Sequence, residues 1–166
     1  MNPKTKPVCG LPAANWDSFY MGFALYLAHE AALIGEVPVG AVAVCRGRIV
    51  GIGRNCRETA KTALGHAELE AIAKACKTMG GWRLLGCDLY VTLEPCPMCA
   101  GAIVNARIRR VIFGAEDPKA GACGSVFSLF EYPLNHRPLL TPGVLGEECA
   151  QELRHFFSRL RASRKQ

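Results

Sequence analysis

The sequence lacks any hydrophobic run that could cross a lipid bilayer. Its most apolar stretch, VPVGAVAV at residues 37–44, has eight residues and contains a proline, whereas a membrane-spanning helix needs about 20 consecutive apolar residues. The N-terminal segment at residues 1–12 has no apolar core of the kind that export signals carry, and its three prolines favour a loose arm. These absences predict a cytoplasmic protein that makes no contact with a membrane.

The chain also lacks internal repeats, low-complexity blocks and Ser/Gly-rich linkers. With 166 residues, half of them hydrophobic, it is long enough to bury one substantial core. We therefore predict a single domain over residues 1–166. Cysteine is abundant, but nine irregularly spaced thiols without an export signal indicate reduced side chains and not a disulfide framework.

The hydrophobic pattern predicts an α/β protein. The expected order is helix, hairpin, helix, strand, helix, strand, strand, helix, which gives a sheet of about five strands. The segments are 15–35, 40–53, 67–80, 89–93, 98–106, 109–115, 136–143 and 147–163. Because strands alternate with helices, we expect helices on both faces of the sheet, and parallel pairing of the third and fourth strands, which a helix connects.

The first and last predicted helices each carry an apolar stripe at helical spacing. These stripes are Trp16, Tyr20, Phe23 and Leu27 in the first helix and Leu153, Phe156, Phe157 and Leu160 in the last. The segment from Arg154 to the end has five basic residues and no acidic one. Such a run is often only a solvated helix end, but it is also compatible with an anionic partner.

Two cysteines stand apart by their spacing and point to a metal site. Cys96 and Cys99 form a Pro-Cys-x-x-Cys sequence at a predicted helix start, so both sulfurs can reach one ion. Zinc prefers tetrahedral Cys and His ligands, and a catalytic zinc keeps one position open. His66 lies at another predicted helix start, and Glu68 follows it. His-x-Glu followed by Pro-Cys-x-x-Cys is typical of zinc-dependent nucleobase deaminases, in which the Glu is a general acid/base and not a ligand.

Two other interpretations of the cysteine pair fit the rest of the sequence less well. A thioredoxin-like redox pair would leave His66 and Glu68 unexplained. A structural zinc would need a fourth Cys or His nearby, and the sequence has neither a second Cys-x-x-Cys nor a closely spaced His pair. The pattern therefore favours a catalytic zinc, on condition that the fold brings His66 to Cys96 and Cys99.

The chain resembles the tRNA-specific adenosine deaminases from about Phe23 to Arg161. The resemblance is carried by EVPVGAV (36–42), Asn55, HAE (66–68), LYVTLEPCPMCAGAI (89–103), FGAEDPKAGACGS (113–125), NHR (135–137) and the terminal helix. Two segments depart from the family. TALG replaces the Asp-Pro-Thr-Ala that often precedes HAE, from which we expect a looser helix start at Gly65. After Phe156 and Phe157, only Arg161 matches the paired arginines of many relatives.

The resemblance implies a cytidine deaminase-like fold, a three-layer α/β/α sandwich with a central mixed sheet, and a homodimer with one Zn²⁺ per chain. The implied reaction is hydrolytic deamination of adenosine to inosine at the wobble position of an arginine tRNA anticodon. His66, Cys96 and Cys99 would hold the zinc, and Glu68 would take a proton from the water that the zinc activates.

The resemblance also implies RNA contacts. Asn55 would contact the flipped purine, Asp117 would lie against the RNA near the target nucleotide, and Arg161 would contribute from the terminal helix. Two alternatives remain: a deaminase of guanine, cytosine or another free base or nucleoside, and a non-catalytic RNA-binding protein that zinc stabilises. Glu68 argues against the second, since a purely structural zinc site has no use for a neighbouring base.

Overall fold

The computed structural model describes residues 13–163. The N-terminal arm predicted for residues 1–12, and the basic residues Arg164 and Lys165, lie outside the described residues. A single domain over the whole chain therefore stays a prediction.

Every predicted helix and strand is present in the described part of the chain. The elements are α1 (Ala13–Leu33), β1 (Gly40–Cys45), β2 (Arg48–Arg54), α2 (Ala67–Met79), β3 (Cys87–Leu93), α3 (Pro97–Ala106), β4 (Arg110–Ala115), a 3₁₀ helix (Leu129–Glu131), β5 (Leu139–Pro142) and α4 (Gly146–Ser163). The 3₁₀ helix was not predicted, because a single short turn leaves no periodic pattern.

The five strands form one mixed sheet in the order β2-β1-β3-β4-β5. β1 pairs antiparallel with β2 and β3, whereas β4 pairs parallel with β3 and β5. The predicted parallel pairing of the third and fourth strands is therefore confirmed. The carboxyl ends of β3, β4 and β5 meet at one edge of the sheet, which is where α/β proteins place ligands.

Helices cover both faces of the sheet, so the predicted three-layer architecture is confirmed. α2 and α3 pack on one face, and α1 and α4 pack on the other. Side chains alternate between these two cores along β1, where Ala41 and Ala43 face α2 and α3 while Val42 and Val44 face α1 and α4. Within residues 13–163, no helix has the length and apolar composition needed to cross a membrane.

The two predicted apolar stripes are only partly correct. In α1, Tyr20 and Leu27 are buried, but Phe23 is 40% exposed. The buried face of α1 also includes small residues such as Ala24 and Ala28, which let the helix lie close to the strands. In α4, Cys149 is the one buried residue among those described, and Phe157 is 40% exposed. The first turns of α4 pack on β4, and its later turns border a cavity described below.

Glycines in β2 allow α2 to lie directly against the sheet. An ideal Cβ atom on Gly51 would lie 2.2 Å from the carbonyl oxygen of Ala71, and one on Gly53 would lie 2.0 Å from that of Ala67. Both distances are far shorter than any real contact, so even a methyl group would push the helix away. Because Ala67 is the first residue of α2, Gly53 sets the position of the helix start.

Gly53→Ala is therefore expected to destabilise the protein. Overpacking of this kind costs about 1–3 kcal/mol, measured as the free energy of unfolding in urea. Gly22→Ala is the matched control, since a Cβ there meets nothing within 4 Å and Ala is favoured over Gly inside a helix by about 0.5–1 kcal/mol. Equal stability of the two variants would contradict the close approach of α2 to β2.

Candidate active site

The N-termini of α2 and α3 lie close together at the edge of the sheet where β3, β4 and β5 end. His66 is the N-cap of α2, and Cys96 is the N-cap of α3. The Nδ1 atom of His66 lies 3.7 Å from Sγ of Cys96 and 3.5 Å from Sγ of Cys99. The fold therefore brings His66 to two cysteines that lie 30 and 33 positions away in sequence.

These three donor atoms fit a single tetrahedral zinc ion. All of them lie within 4.8 Å of one another. With ordinary zinc–sulfur and zinc–nitrogen bonds at a tetrahedral angle, each sulfur would lie about 3.6 Å from the nitrogen. The observed separations of 3.5 and 3.7 Å match this value. One imidazole and two thiols thus form a possible metal site, and three ligands leave the fourth position open.

Among the cysteine donors, the surroundings of Cys96 favour a thiolate, whereas Cys96 and burial raise the pKa of the Cys99 thiol. The Cys99 side chain and the His66 ring, through their hydrogen bonds to Cys96, lower the pKa of the Cys96 thiol to about 4. A lowered pKa favours the thiolate, which is the form of cysteine that binds metal. Glu68 is only 4% exposed, and burial raises the pKa of its carboxyl group. A raised pKa moves a carboxyl group toward the range in which it can both accept and donate a proton near neutral pH.

A cavity of about 450 Å³ opens at His66 and Cys96, while Cys99 is fully buried and does not line it. Its floor includes His66, Cys96 and Glu68, and three other parts of the chain form its walls. This volume lies within the usual range for small-molecule sites.

The first wall contains Asn55, which is held by a fully buried carboxylate. The amide Nδ2 of Asn55 donates to Oε2 of Glu36 at 3.2 Å. Glu36 also accepts hydrogen bonds from the Thr59 N–H at 2.7 Å, the Thr59 hydroxyl at 2.9 Å and the Glu58 N–H at 3.3 Å. Burial alone would raise the pKa of Glu36, but these hydrogen bonds outweigh it and lower the pKa. A carboxylate only accepts, so it fixes which edge of the Asn55 amide faces Glu36.

The second wall is the segment after β4 that contains Asp117 and Lys119. Asp117 is half-buried, and its Oδ1 atom accepts the N–H groups of Lys119 at 3.0 Å and Ala120 at 3.2 Å. These bonds close a tight turn that projects over the cavity. The buried Glu94, directly after β3, lies beneath this turn and also lines the cavity.

The third wall is α4, through Leu153 and Phe157. Arg161 does not line the cavity. It is exposed and follows Phe157 by four residues, so it lies on the same face of the helix one turn farther out.

Other sequence features lie away from the cavity. His29 is exposed and pairs with Glu152 at 3.0 Å. The NHR segment secures the junction between α3 and β4: Nε2 of His136 lies 2.6 Å from the Ile108 carbonyl, and Arg107 donates to Asn135 at 2.9 Å. The eight described cysteines are all free.

The looser helix start expected at Gly65, relative to other family members, stays a prediction, although Gly65 itself is closely packed. The Cys56 N–H donates to the Gly65 carbonyl at 2.8 Å. A Cβ on Gly65 would lie only 3.0 Å from the backbone nitrogen of Arg57. The segment before His66 is therefore packed closely against the first wall.

Sequence reasoning missed Glu36 and Glu94 as organisers of the site. Both lie in quoted motifs, but their bonding partners are 19 to 31 residues away. A buried carboxylate cannot be recognised from the sequence until those partners are known.

Comparisons with known proteins agree with this geometry. The profile of the MafB19-like deaminases matches residues 14–161. The chain is 49% identical over 150 residues to the tRNA-specific adenosine deaminase of Bacillus subtilis (strain 168), covering 90% of this chain and 93% of the relative. It is 47% identical over 154 residues to that of Haemophilus influenzae, covering 92% and 89%.

Solved structures give the same result. A structure from a study of A-to-I editing by tRNA:A34 deaminases is 42% identical, with a TM-score of 0.78, and covers 82% of this chain and 99% of its own. The guanine deaminase of Bacillus subtilis is 43% identical, with a TM-score of 0.58, and covers 59% and 63%. The fold and the sequence over most of its length place this chain among the MafB19-like deaminases, and within them it belongs to the tRNA-specific adenosine deaminases.

Proposed function

We propose that this chain converts adenosine to inosine at the wobble position of a tRNA anticodon, with an arginine tRNA as the substrate. The observation that carries the proposal is the triangle of His66, Cys96 and Cys99 beside the buried carboxyl of Glu68, at the floor of a cavity large enough for one extruded nucleotide. The similarity to tRNA-specific adenosine deaminases supports the choice of substrate.

One Zn²⁺ per chain would be held by Nδ1 of His66 and the sulfurs of Cys96 and Cys99. When bound, zinc lowers the pKa of a water molecule and so supplies the nucleophile. Glu68 accepts a proton from the attacking water, whose oxygen forms a bond to C6 of adenine. Glu68 delivers this proton to N1. It then takes the second proton of the former water from the new hydroxyl group on C6 and passes it to the exocyclic amino group. The C6–N bond breaks, ammonia leaves, and adenosine has become inosine.

The three walls of the cavity would hold the extruded nucleotide. Because Glu36 occupies one N–H of the Asn55 amide, the second N–H and the carbonyl oxygen are available to a purine edge. Asp117 would lie against the RNA near the target nucleotide, and Arg161 would face its phosphate backbone. An unpaired anticodon loop suits this arrangement, since a base that is already unpaired is the least costly to extrude.

Membership of this family also supports a homodimer and a cytoplasmic location, in which the enzyme would encounter its tRNA substrates. We propose both on that ground. Sedimentation analysis of the purified protein measures the first.

Purified protein is expected to contain about one zinc per chain. Cys96→Ser, Cys99→Ser and His66→Ala should lose zinc and activity together, as metal analysis and a deamination assay would show. Glu68→Ala is the matched variant that should keep zinc yet lose activity by at least about 10²–10⁴-fold, the usual contribution of a positioned general acid/base. A metal-free protein with a reversible Cys96–Cys99 disulfide would favour the redox interpretation instead.

The proposed substrate is tested with an arginine anticodon stem-loop. Inosine should appear at the wobble adenosine, and a scrambled loop should not react. Free adenosine should react slowly, because binding energy from the flanking nucleotides is needed to place C6 correctly. Efficient turnover of guanine or cytosine, with the stem-loop untouched, would overturn the RNA assignment and leave the zinc chemistry in place.

Arg159 and Arg161 are expected to contact RNA phosphates, because both are exposed on the acid-free end of α4. Replacing both with Gln should weaken stem-loop binding and flatten its salt dependence by about 0.7 log unit per lost contact. Replacing Lys77, an exposed cation in the last turn of α2, with Gln is the control for general charge. An unchanged slope in the arginine variant would identify the run as a solvated helix end.

A further inference from the structure

The segment from residue 116 to residue 125, here called the Asp117 loop, is built around one carboxylate. Glu94 is 2% exposed, and both of its oxygens accept hydrogen bonds from this loop. The donors are the N–H groups of Asp117 at 3.0 Å, Cys123 at 2.9 Å and Ser125 at 3.0 Å, together with the Ser125 hydroxyl. One side chain thus binds the loop near its beginning and at its end.

The middle of the Asp117 loop is also seated on Glu94. An ideal Cβ on Gly121 would lie 2.4 Å from Cδ and Oε2 of Glu94, so the loop backbone passes directly over the carboxylate. The neighbouring Ala122 N–H donates to the Pro95 carbonyl at 2.9 Å. The loop therefore rests on the dipeptide that immediately precedes Cys96.

This contact connects two parts of the site. Residues 116–120 of the Asp117 loop line the cavity. Backbone N–H groups of the same loop are hydrogen-bonded to Glu94 and Pro95, which lie between the end of β3 and Cys96. A shift of the Glu94 carboxylate would thus move the substrate wall relative to the sulfur of Cys96.

We propose that Glu94 is a positioning residue for the RNA substrate. Through its carboxylate it holds the Asp117 loop in register with the Cys96–Cys99 segment, and so sets where the target base stops relative to the metal donors. The proposal rests on the function proposed above. Glu94 acts through the backbone of the loop and takes no part in proton transfer.

Glu94→Gln tests the proposal, because an amide NH₂ would face N–H groups that need an acceptor. We expect zinc content to stay at about one per chain while kcat on the stem-loop falls on the order of 10–100-fold, the loss that a misplacement of about 1 Å can cause. Hydrogen exchange should accelerate at the amides of Asp117, Cys123 and Ser125, with much smaller changes in β1 and α1.

Asp88→Asn is the matched control. Asp88 is a buried carboxylate at the opposite end of β3, where it pairs with Arg109 and Arg110. This variant should lose stability and retain the kcat and KM of the wild type below its unfolding transition. If Glu94→Gln behaved in the same way, its role would be structural only and the proposal would be overturned.

A double-mutant cycle gives a second readout. If Glu94 acts by placing the Asp117 loop, the effects of Glu94→Gln and Asp117→Ala on kcat/KM should be strongly non-additive. Additive effects, or loss of zinc in proportion to activity, would overturn the proposal. Should Glu94→Gln fail to fold, Ser125→Ala removes one donor alone and should lower kcat a few-fold and accelerate the same amides; no change in either would also overturn it.

The exchange measurement separates this proposal from the function on which it rests. A wild-type protein that left the stem-loop untouched would refute the RNA substrate. Even then, hydrogen exchange that accelerates only in the Asp117 loop of Glu94→Gln would show that Glu94 holds this loop in place. The effect on kcat would then be measured with whichever substrate the wild-type protein converts.

Discussion

The arrangement of the metal donors depends on α2 and α3 having their N-termini side by side. The start of α2 supplies a nitrogen donor, and the start of α3 supplies two sulfurs. The nitrogen lies 3.5–3.7 Å from the sulfurs, which leaves little room for either helix to shift. The position of α2 is set by Gly53, which permits the backbone of Ala67 to touch β2. The position of α3 is set by the parallel pairing of β3 with β4. The arrangement of the three donor atoms is thus a consequence of how the helix backbones pack on the sheet.

Two buried carboxylates organise the walls around that centre. Glu36 and Glu94 are both almost completely shielded from solvent, and an isolated carboxylate in such a place would be strongly unfavourable. Each accepts several hydrogen bonds from a loop that has no regular structure of its own. The N–H and hydroxyl groups of each loop satisfy the buried carboxylate, and these hydrogen bonds hold the loop in one conformation. Removing either carboxylate would leave several N–H groups without an acceptor, which costs more than the loss of one bond.

The chemistry was easier to predict from the sequence than the shape of the cavity. His66, Glu68, Cys96 and Cys99 are recognisable because their spacing within each motif is local and helix starts are marked by Pro97 and by the acidic first turn of α2. The hairpin of β1 with β2 and the parallel pairing of β3 with β4 also follow from local patterns, whereas the order of the strands in the sheet does not. Glu36 and Glu94 could not be assigned, since their roles depend on loops brought near them by the fold. The partial exposure of the apolar stripe in α4 could not be predicted for the same reason. Leu153 and Phe157 line a cavity whose other walls come from distant parts of the chain.

The way Glu94 holds the Asp117 loop has a consequence for how substrate preference can change. Three of the four hydrogen bonds that it accepts come from backbone N–H groups, which every residue except proline carries. Pro118, Lys119 and Ala120 line the cavity, and their side chains take no part in this anchoring. These three positions can therefore vary while the frame beneath them persists. A fold built in this way can acquire a new substrate by point substitution without rebuilding its metal centre, provided that Gly121 stays small.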